Sequence, residues 1–493
     1  MNAYSYYKIE TAKDGNEIPF CRNTETGAEI SLHSKYNPIR EAQGFASTAS
    51  DSCSFFIVLG LAGGYHISAL LERFPESKIL VLEKDEQSLT FLEQIPQVKE
   101  LSKNSQVQFS TLTDISQKIL ESYKPALHGN LSILSLRQWE NIFTEEAKAA
   151  REKITQAIKL LAQDFSVQSH FGKIWQKNIL SNLSLAEKAC SFNQIQKIAE
   201  KKKKAAVIAA GPSLDEQIYR LKENQNDYFI IATDTAFSAL EKQKIKCDAV
   251  VSIDGQQVSH EHYMENLSAD TLYAFDLCAA TSAVRKVLKK SANFIFFESG
   301  HPLAQYASFF DGKHNFEHLN AGSGTVTIAA ASLARKLGFS DDKIEFFGAD
   351  FAYIGGKPYC RGTYLENQFY SKSNRFDGAE KLYTKIMFRT ETKKLSENAI
   401  TTEILEAYKD SLKDFMENSK NPDEKQNSSE EGKFSLKSFK SKYCNELKQA
   451  FKNEREIDEK SYALMTLLPL IAKMGKDKAF IAYLKTLSYT ERV

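Results

Sequence analysis

The sequence predicts an α/β fold, and three features of it carry that expectation. Short apolar runs of strand length recur along the chain, glycine or an acidic residue stands at their carboxyl ends, and helical patterns lie between them. The clearest run is Ala205-Ala206-Val207-Ile208-Ala209-Ala210, which has no polar side chain and so suits a strand covered on both faces in a parallel sheet. Gly211 and Pro212 end it. Ser213 then precedes Leu214-Asp215-Glu216, with Glu216 at capping-box spacing, so Ser213 is expected to cap the helix that follows. Such a corner aims backbone N–H groups and a helix N-terminus at the mouth of the sheet, where an anionic ligand is favoured.

At 493 residues the chain exceeds one ordinary core and should hold about two to four domains. Hydrophobic residues make up 42% and charged residues 26%, as in folded proteins generally. Lys and Arg total 64 against 63 Asp and Glu, so no global field favours nucleic acid, and none is expected as a partner. The seven cysteines, at 21, 53, 190, 247, 278, 360 and 444, form no CxxC pair, which points to a reducing cytoplasm and to neither a disulfide framework nor a bound structural metal. Met1 opens a polar, tyrosine-rich segment, so no signal peptide is expected, and the longest apolar run, Phe55 to Gly64, is about half a bilayer crossing. A cytoplasmic protein with no membrane span is the expectation.

In chain order, residues 1 to 50 read as a small β-rich edge element. Phe55 to Leu59 then runs into Gly60-Leu61-Ala62-Gly63-Gly64, a helix follows from about Ile67, and a second strand, Lys78 to Glu83, ends on an acid. This is a Rossmann-like half, similar to the nucleoside corner of S-adenosylmethionine-dependent methyltransferases. It reads either as a ligand corner, with Glu83 on a ribose, or as a scaffold that persists without a ligand. From about Glu145 to Lys204 the spacing of Phe165, Phe171, Ile174, Trp175, Ile179 and Leu183 predicts a long amphipathic connector.

Beyond the central corner, strands are expected at Tyr228 to Thr233, Asp248 to Ile253, Thr271 to Phe275, Asn293 to Phe297 and Lys343 to Phe347. In a parallel sheet their carboxyl ends share one crevice, so Asp234, Asp254, the turn 298 to 301 and Gly211 should converge there. Asn320 to Thr327 opens an alanine-rich helix, with Ser323, Gly324 and Thr325 at its start. Asp350 ends the next strand, and Tyr353, Tyr359 and Tyr364 crowd the loop behind it. Asn374 to Leu395 reads as extended or mixed, 418–433 as a flexible loop without apolar residues, and the tail as helical. The resulting layout is a smaller Rossmann-like domain at 1–145, a helical connector at 146–204, a Rossmann-like central domain at 205–395, and an α-helical C-terminal domain at 396–493.

The set AAGPSL, ATDTAF, VSIDG, GSGT and FGADFAY, in this order and spacing, resembles the central domain of the motility accessory factor family, whose members glycosylate flagellin. That domain is shared with archaeal 6-hydroxymethylpterin diphosphokinases and is similar to bacterial sialyltransferases that use CMP-activated sialic acid. The resemblance implies a central glycosyltransferase domain that moves a nonulosonic acid, of pseudaminic or legionaminic type, from a CMP-sugar to Ser or Thr of flagellin, in the service of flagellar assembly and motility. It implies a nucleotide on Gly211, Pro212 and Ser213, and Asp234 and Asp254 near the nucleoside and sugar. It further places Ser323, Gly324 and Thr325 at the donor, and Tyr353 and Tyr359, after Asp350, at the departing phosphate.

Three positions differ from the sialyltransferase pattern. Ala210 replaces an asparagine, and Asp234 and Asp254 replace two more, which suits ribose hydroxyls or a divalent cation better than phosphate. No histidine lies beyond His318, where that family keeps its general base, so Glu366, Asp377 and His301 stand as candidates. No tightly bound cofactor is implied, and a divalent metal is compatible without being required. Two rival readings remain: a diphosphokinase with Asp234, Asp254 and Asp350 around Mg²⁺-ATP, and a non-catalytic flagellin-binding escort that works through its helical tail.

Overall fold

The computed structural model describes residues 4–190, 192–263, 267–290, 293–322, 324–417, 434–450, 465 and 476–493. The segment 418–433, expected as a flexible loop, and Ser323 lie outside the described residues. The chain forms two compact units; the first holds the described residues up to His170 together with 476–481, and the second begins at Phe171 and includes Ala482–Val493. Both are α/β units built on parallel sheets. Among the described residues no helix is long and apolar enough to cross a membrane.

In the first unit β1 (Tyr4–Thr11), β2 (Glu17–Asn23) and β3 (Glu29–Ser31) make a small antiparallel sheet. It is followed by β4 (Cys53–Leu59), β5 (Lys78–Glu83), β6 (Val107–Thr111) and β7 (Asn130–Ser135), a parallel sheet in the order β6-β5-β4-β7. Phe55 to Leu59 are all buried, as the uninterrupted apolar run requires when both faces are covered.

The second unit is organised on seven parallel strands: β8 (Lys204–Ile208), β9 (Tyr228–Thr233), β10 (Ala249–Ser252), β11 (Leu272–Asp276), β12 (Phe294–Glu298), β13 (Glu317–His318) and β14 (Ile344–Phe347). Their order is β13-β12-β11-β10-β9-β8-β14. The chain steps in one direction from β8 to β13 and then returns to lie on the other side of β8. That reversal puts the topological switch point, where ligands of open α/β sheets bind, between β8 and β14.

The return is made by the helix Val326–Lys336, whose Ile328, Ala331 and Leu333 pack with Val207, Ile231 and Val251 of the sheet. Its alanines let it lie close to the strands, and as the crossover between parallel strands it starts at their carboxyl edge. A small sheet, β15 (Tyr353–Ile354), β16 (Thr392–Lys394) and β17 (Ala399–Thr402), follows β14. The stretch read as extended or mixed contains a helix, Ala379–Met387, whose Ala379, Tyr383 and Met387 are buried at four-residue spacing. In the C-terminal region Phe439 and Tyr443 of the helix Leu436–Ala450 pack against Tyr306 at centroid distances of 6.0 and 5.9 Å.

Candidate active site

At the switch point the pairing of β8 with β14 continues past both strands: Ala209 N–H donates to the Phe347 carbonyl and Gly211 N–H to the Gly348 carbonyl, each at 2.8 Å. A Cβ at Gly211 would collide with that Gly348 carbonyl and with the Asp350 carboxylate, so only glycine fits. Asp350 closes the corner. Ser213 donates its N–H to Asp350 Oδ2 at 2.8 Å and its hydroxyl to Oδ1. Ser213 does occupy the N-cap position of the helix Leu214–Glu223, but its hydroxyl makes no capping bond, which corrects the capping-box expectation. The carboxylate of Asp350 sits where a bound anion would meet the helix N-terminus. Pro212 is buried on the outer side, lining a cleft of about 520 Å³ with Asp215, Lys357 and Arg361.

The tyrosine loop is fastened to this corner at three points. Cys360 N–H donates to the Ala210 carbonyl at 2.9 Å, Arg361 N–H to Asp215 at 2.8 Å, and the Ser238 hydroxyl to the Gly362 carbonyl at 3.0 Å. At its start Phe351 adopts a left-handed φ of 48°, held by the Thr401 hydroxyl on its carbonyl at 2.9 Å. Tyr359 therefore sits on a loop held over the ends of β8 and β9.

Beside it lie the strand-end acids. Asp234 is buried at the first turn of the helix Asp234–Lys242 and accepts from Thr235 N–H at 2.7 Å and from the Ser252 hydroxyl at 2.6 Å. Asp254, after β10, accepts from Gln256 N–H at 2.9 Å; burial raises its pKa, and the nearby Asp234 adds to the shift. Tyr364 faces the same place: burial first, then Tyr359, Glu261, Asp234 and Asp254, push its pKa up to about 12. Burial likewise raises Tyr353 and Tyr359, the latter with Tyr353 as neighbour. All three phenols thus keep their protons at neutral pH and can donate hydrogen bonds to a developing negative charge.

The structure adds His262, which the sequence reading passed over. It lies in the 3₁₀ segment Gln257–Tyr263, is 8% exposed, and meets Tyr364 edge to face with ring centroids 4.3 Å apart. Its Nδ1 is buried without a hydrogen-bond partner. The available signal was its position shortly after the strand-end Asp254.

The remaining expected site residues and the candidate bases stand as follows. Thr325 caps the helix Val326–Lys336 by accepting from Thr327 N–H at 3.3 Å, and Gly324 is exposed, with a φ of 94°. Of the three candidate bases, Glu366 accepts from Gly362 N–H at 2.6 Å, and Asp377 is exposed and paired with Lys381. His301 caps the helix Pro302–Phe309 through Nδ1, at 3.2 Å from Leu303 N, and burial lowers its pKa to about 4.

The 298 to 301 turn does not share the open part of the crevice. Trp175 packs edge-on to His301 at 6.1 Å and sits where a Cβ on Gly255 would fall. Asn178 bridges the carbonyls of Gly255 and Cys278 at 2.9 and 3.0 Å, and Asn182 those of Leu277 and Ala279 at 3.0 and 2.8 Å. The end of the helix Thr144–Ala186 thereby covers the mouth at β10 to β12, and the mouth at β8 to β10 is left to the tyrosine loop.

The glycine turn of the first unit is filled by the protein itself. A Cβ on Gly60 would lie 2.5 Å from Trp139 Cγ, one on Gly63 2.7 Å from the Tyr65 ring, and one on Gly64 2.6 Å from Leu101. Glu83, fully buried, accepts from Trp139 Nε1 (2.7 Å), Lys84 N–H (3.0 Å), Tyr6 OH (3.0 Å) and Leu61 N–H (3.1 Å). Four donors saturate its two oxygens, so it has no capacity left for a ribose. His66 is buried against the Gly60 carbonyl at 2.9 Å, and burial lowers its pKa to about 3.

Residues 177–356 match the family model of the 6-hydroxymethylpterin diphosphokinase MptE-like domain. A Treponema pallidum (strain Nichols) protein described as uncharacterized is 35% identical over 150 residues, 30% of this chain and 70% of that protein. A second from the same organism, also described as uncharacterized, is 40% identical over 151 residues, 30% of this chain and 52% of that protein. The solved MAf glycosyltransferase from Magnetospirillum magneticum AMB-1 superposes with a TM-score of 0.55 at 12% identity, covering 98% of this chain and 86% of the other. The MptE-like domain and this shared fold bear out the resemblance to motility accessory factors.

Proposed function

The chain belongs to one family with the Treponema pallidum protein that it spans for 70% of that protein's length, and we propose that it is a glycosyltransferase of the motility accessory type, a reading supported by its MptE-like domain and by the fold it shares with the MAf glycosyltransferase. It takes a nonulosonic acid, pseudaminic or legionaminic, from a CMP-activated donor and transfers it to Ser or Thr hydroxyls of flagellin. The observation that supports this most is the gathering of Asp234, Asp254, Tyr359 and Tyr364 at one end of the crevice, on a fold shared with a glycosyltransferase. As CMP leaves, the sugar's anomeric carbon becomes electron-poor and the phosphate gains charge. Protonated Tyr353 and Tyr359 stabilise the phosphate; Asp234 and Asp254 accept from sugar or ribose hydroxyls; Asp350 positions the Ser213 turn.

The MptE-like match favours one second reading, a Mg²⁺-ATP pyrophosphoryl transfer. That reading needs Asp350 as a metal ligand, and each Asp350 oxygen already accepts one hydrogen bond from Ser213, which leaves one lone pair on each for a cation. Melting the full chain with CMP, a CMP-nonulosonate, Mg²⁺-ATP or S-adenosylmethionine separates the readings. A ligand at one hundred times its Kd adds about 2.7 kcal/mol, enough to read as a shift. Stabilisation by the cytidine compounds is the expected result. Stabilisation by Mg²⁺-ATP alone would overturn the transferase in favour of the kinase, and flagellin binding indifferent to every nucleotide would favour the escort.

A further inference from the structure

We propose that His262 is the general base of this site, the group that takes the proton from the acceptor hydroxyl; the inference rests on the transferase reading above. A base for this reaction must lie beside the donor, be sheltered from bulk water, and have a ring nitrogen not already committed. His301 is sheltered and has an unpartnered Nε2 but stands at the covered end of the crevice, and only His262 among the candidates meets all three conditions. Glu366 and Asp377 are committed to Gly362 and Lys381, and His301 is a helix cap beneath Trp175. His262 is 8% exposed, has an unpartnered Nδ1, and packs its ring against Tyr364 at 4.3 Å. Tyr364 in turn feels Asp234, Asp254, Glu261 and Tyr359, so the imidazole stands inside the group of residues assigned to the donor.

The chemistry balances without a further reactant. The acceptor O–H bond breaks, its electron pair forms the new bond to the anomeric carbon, and the bond from that carbon to the CMP phosphate breaks, with the pair leaving on CMP. The proton passes to the imidazole and afterwards to solvent. Asp254, whose carboxyl is electrostatically coupled to His262, stabilises the imidazolium while it exists. The position differs from the sialyltransferase arrangement, in which the base follows the tyrosine loop. Here it comes from the segment after β10.

Azide makes the test specific, because it attacks the anomeric carbon without losing a proton. The full chain and its His262→Asn variant are given a CMP-nonulosonate with either flagellin or sodium azide, and CMP release is followed. The variant should lose at least about 10²-fold in transfer to flagellin. With azide its CMP release should stay within about 3-fold of the parent, and its melting temperature should still rise with donor. Equal losses with flagellin and azide would make His262 structural and overturn the proposal, as would undiminished transfer to flagellin. If the parent itself releases no CMP with either nucleophile, the transferase reading falls and this inference falls with it.

Discussion

The two strand-glycine-helix corners of this chain are built alike and finished differently. In both, an acid from a neighbouring strand or the loop after it takes a backbone N–H that a ligand would otherwise take: Glu83 takes that of Leu61 at 3.1 Å, and Asp350 takes that of Ser213 at 2.8 Å. In the first unit Trp139 and Tyr6 add donors to Glu83, the Trp139 ring lies against Gly60, and His66 keeps a buried Nδ1 without a partner. In the second the closed turn adjoins Asp254, Tyr364 and His262, so there the unpaired imidazole nitrogen stands among acids and phenols. A glycine turn before a helix therefore does not by itself mark a ligand site. What matters is how many of its polar groups the chain satisfies from within.

Breaking the closed corner should have the largest effect. Trp139→Ala removes a fully buried indole and one of Glu83's donors, and should lower unfolding free energy by about 3–5 kcal/mol in urea titrations. A loss under about 1 kcal/mol would mean the indole is not what fills the turn. In the open corner, Tyr359→Phe deletes only a donor hydroxyl. It should cut turnover by about 10²-fold with the melting temperature preserved, as measured by steady-state CMP release.

Asp276 sharpens the contrast within the second unit, because it lies 1% exposed at the covered end of the crevice, and burial pushes its pKa up from 3.8 to about 6. A raised carboxyl value adds stability that is fully present below pH 3.8 and is lost as pH rises through 6. Between pH 4 and pH 7 the protein should lose roughly 3 kcal/mol on this account, and Asp276→Asn should flatten that part of the stability profile. The smallest expected effect is that of Asp350→Asn. Ser213 keeps one acceptor but loses the charge, at a cost of about 1 kcal/mol, and CMP should bind several-fold more tightly in a direct titration because a negative group facing the phosphate is gone.

The central sheet was legible because its strands are buried on both faces: Tyr228 to Thr233 and Ala205 to Ile208 read as strands from composition alone and form β9 and β8. The helix Ala379–Met387 was not legible: its buried Ala379, Tyr383 and Met387 stand at four-residue spacing, but its aromatic and β-branched residues obscured the period and the stretch reads as extended or mixed. The strand-end acids Asp234 and Asp254 follow from the parallel arrangement, and the structure brings them together. Contacts made across long stretches of chain could not be read locally. Ser213 looks like a cap until Asp350 is placed 137 residues away, and Gly60 looks open until Trp139 is placed against it. His262 sits in a polar segment without periodicity, so only the fold reveals its neighbours.

Hydrogen exchange of the full chain with and without a saturating CMP-nonulosonate tests the contrast most directly. The account predicts protection in peptides spanning 230–263 and 353–364, and no change in peptides spanning 55–66. Protection of 55–66, with the second unit unchanged, would contradict it.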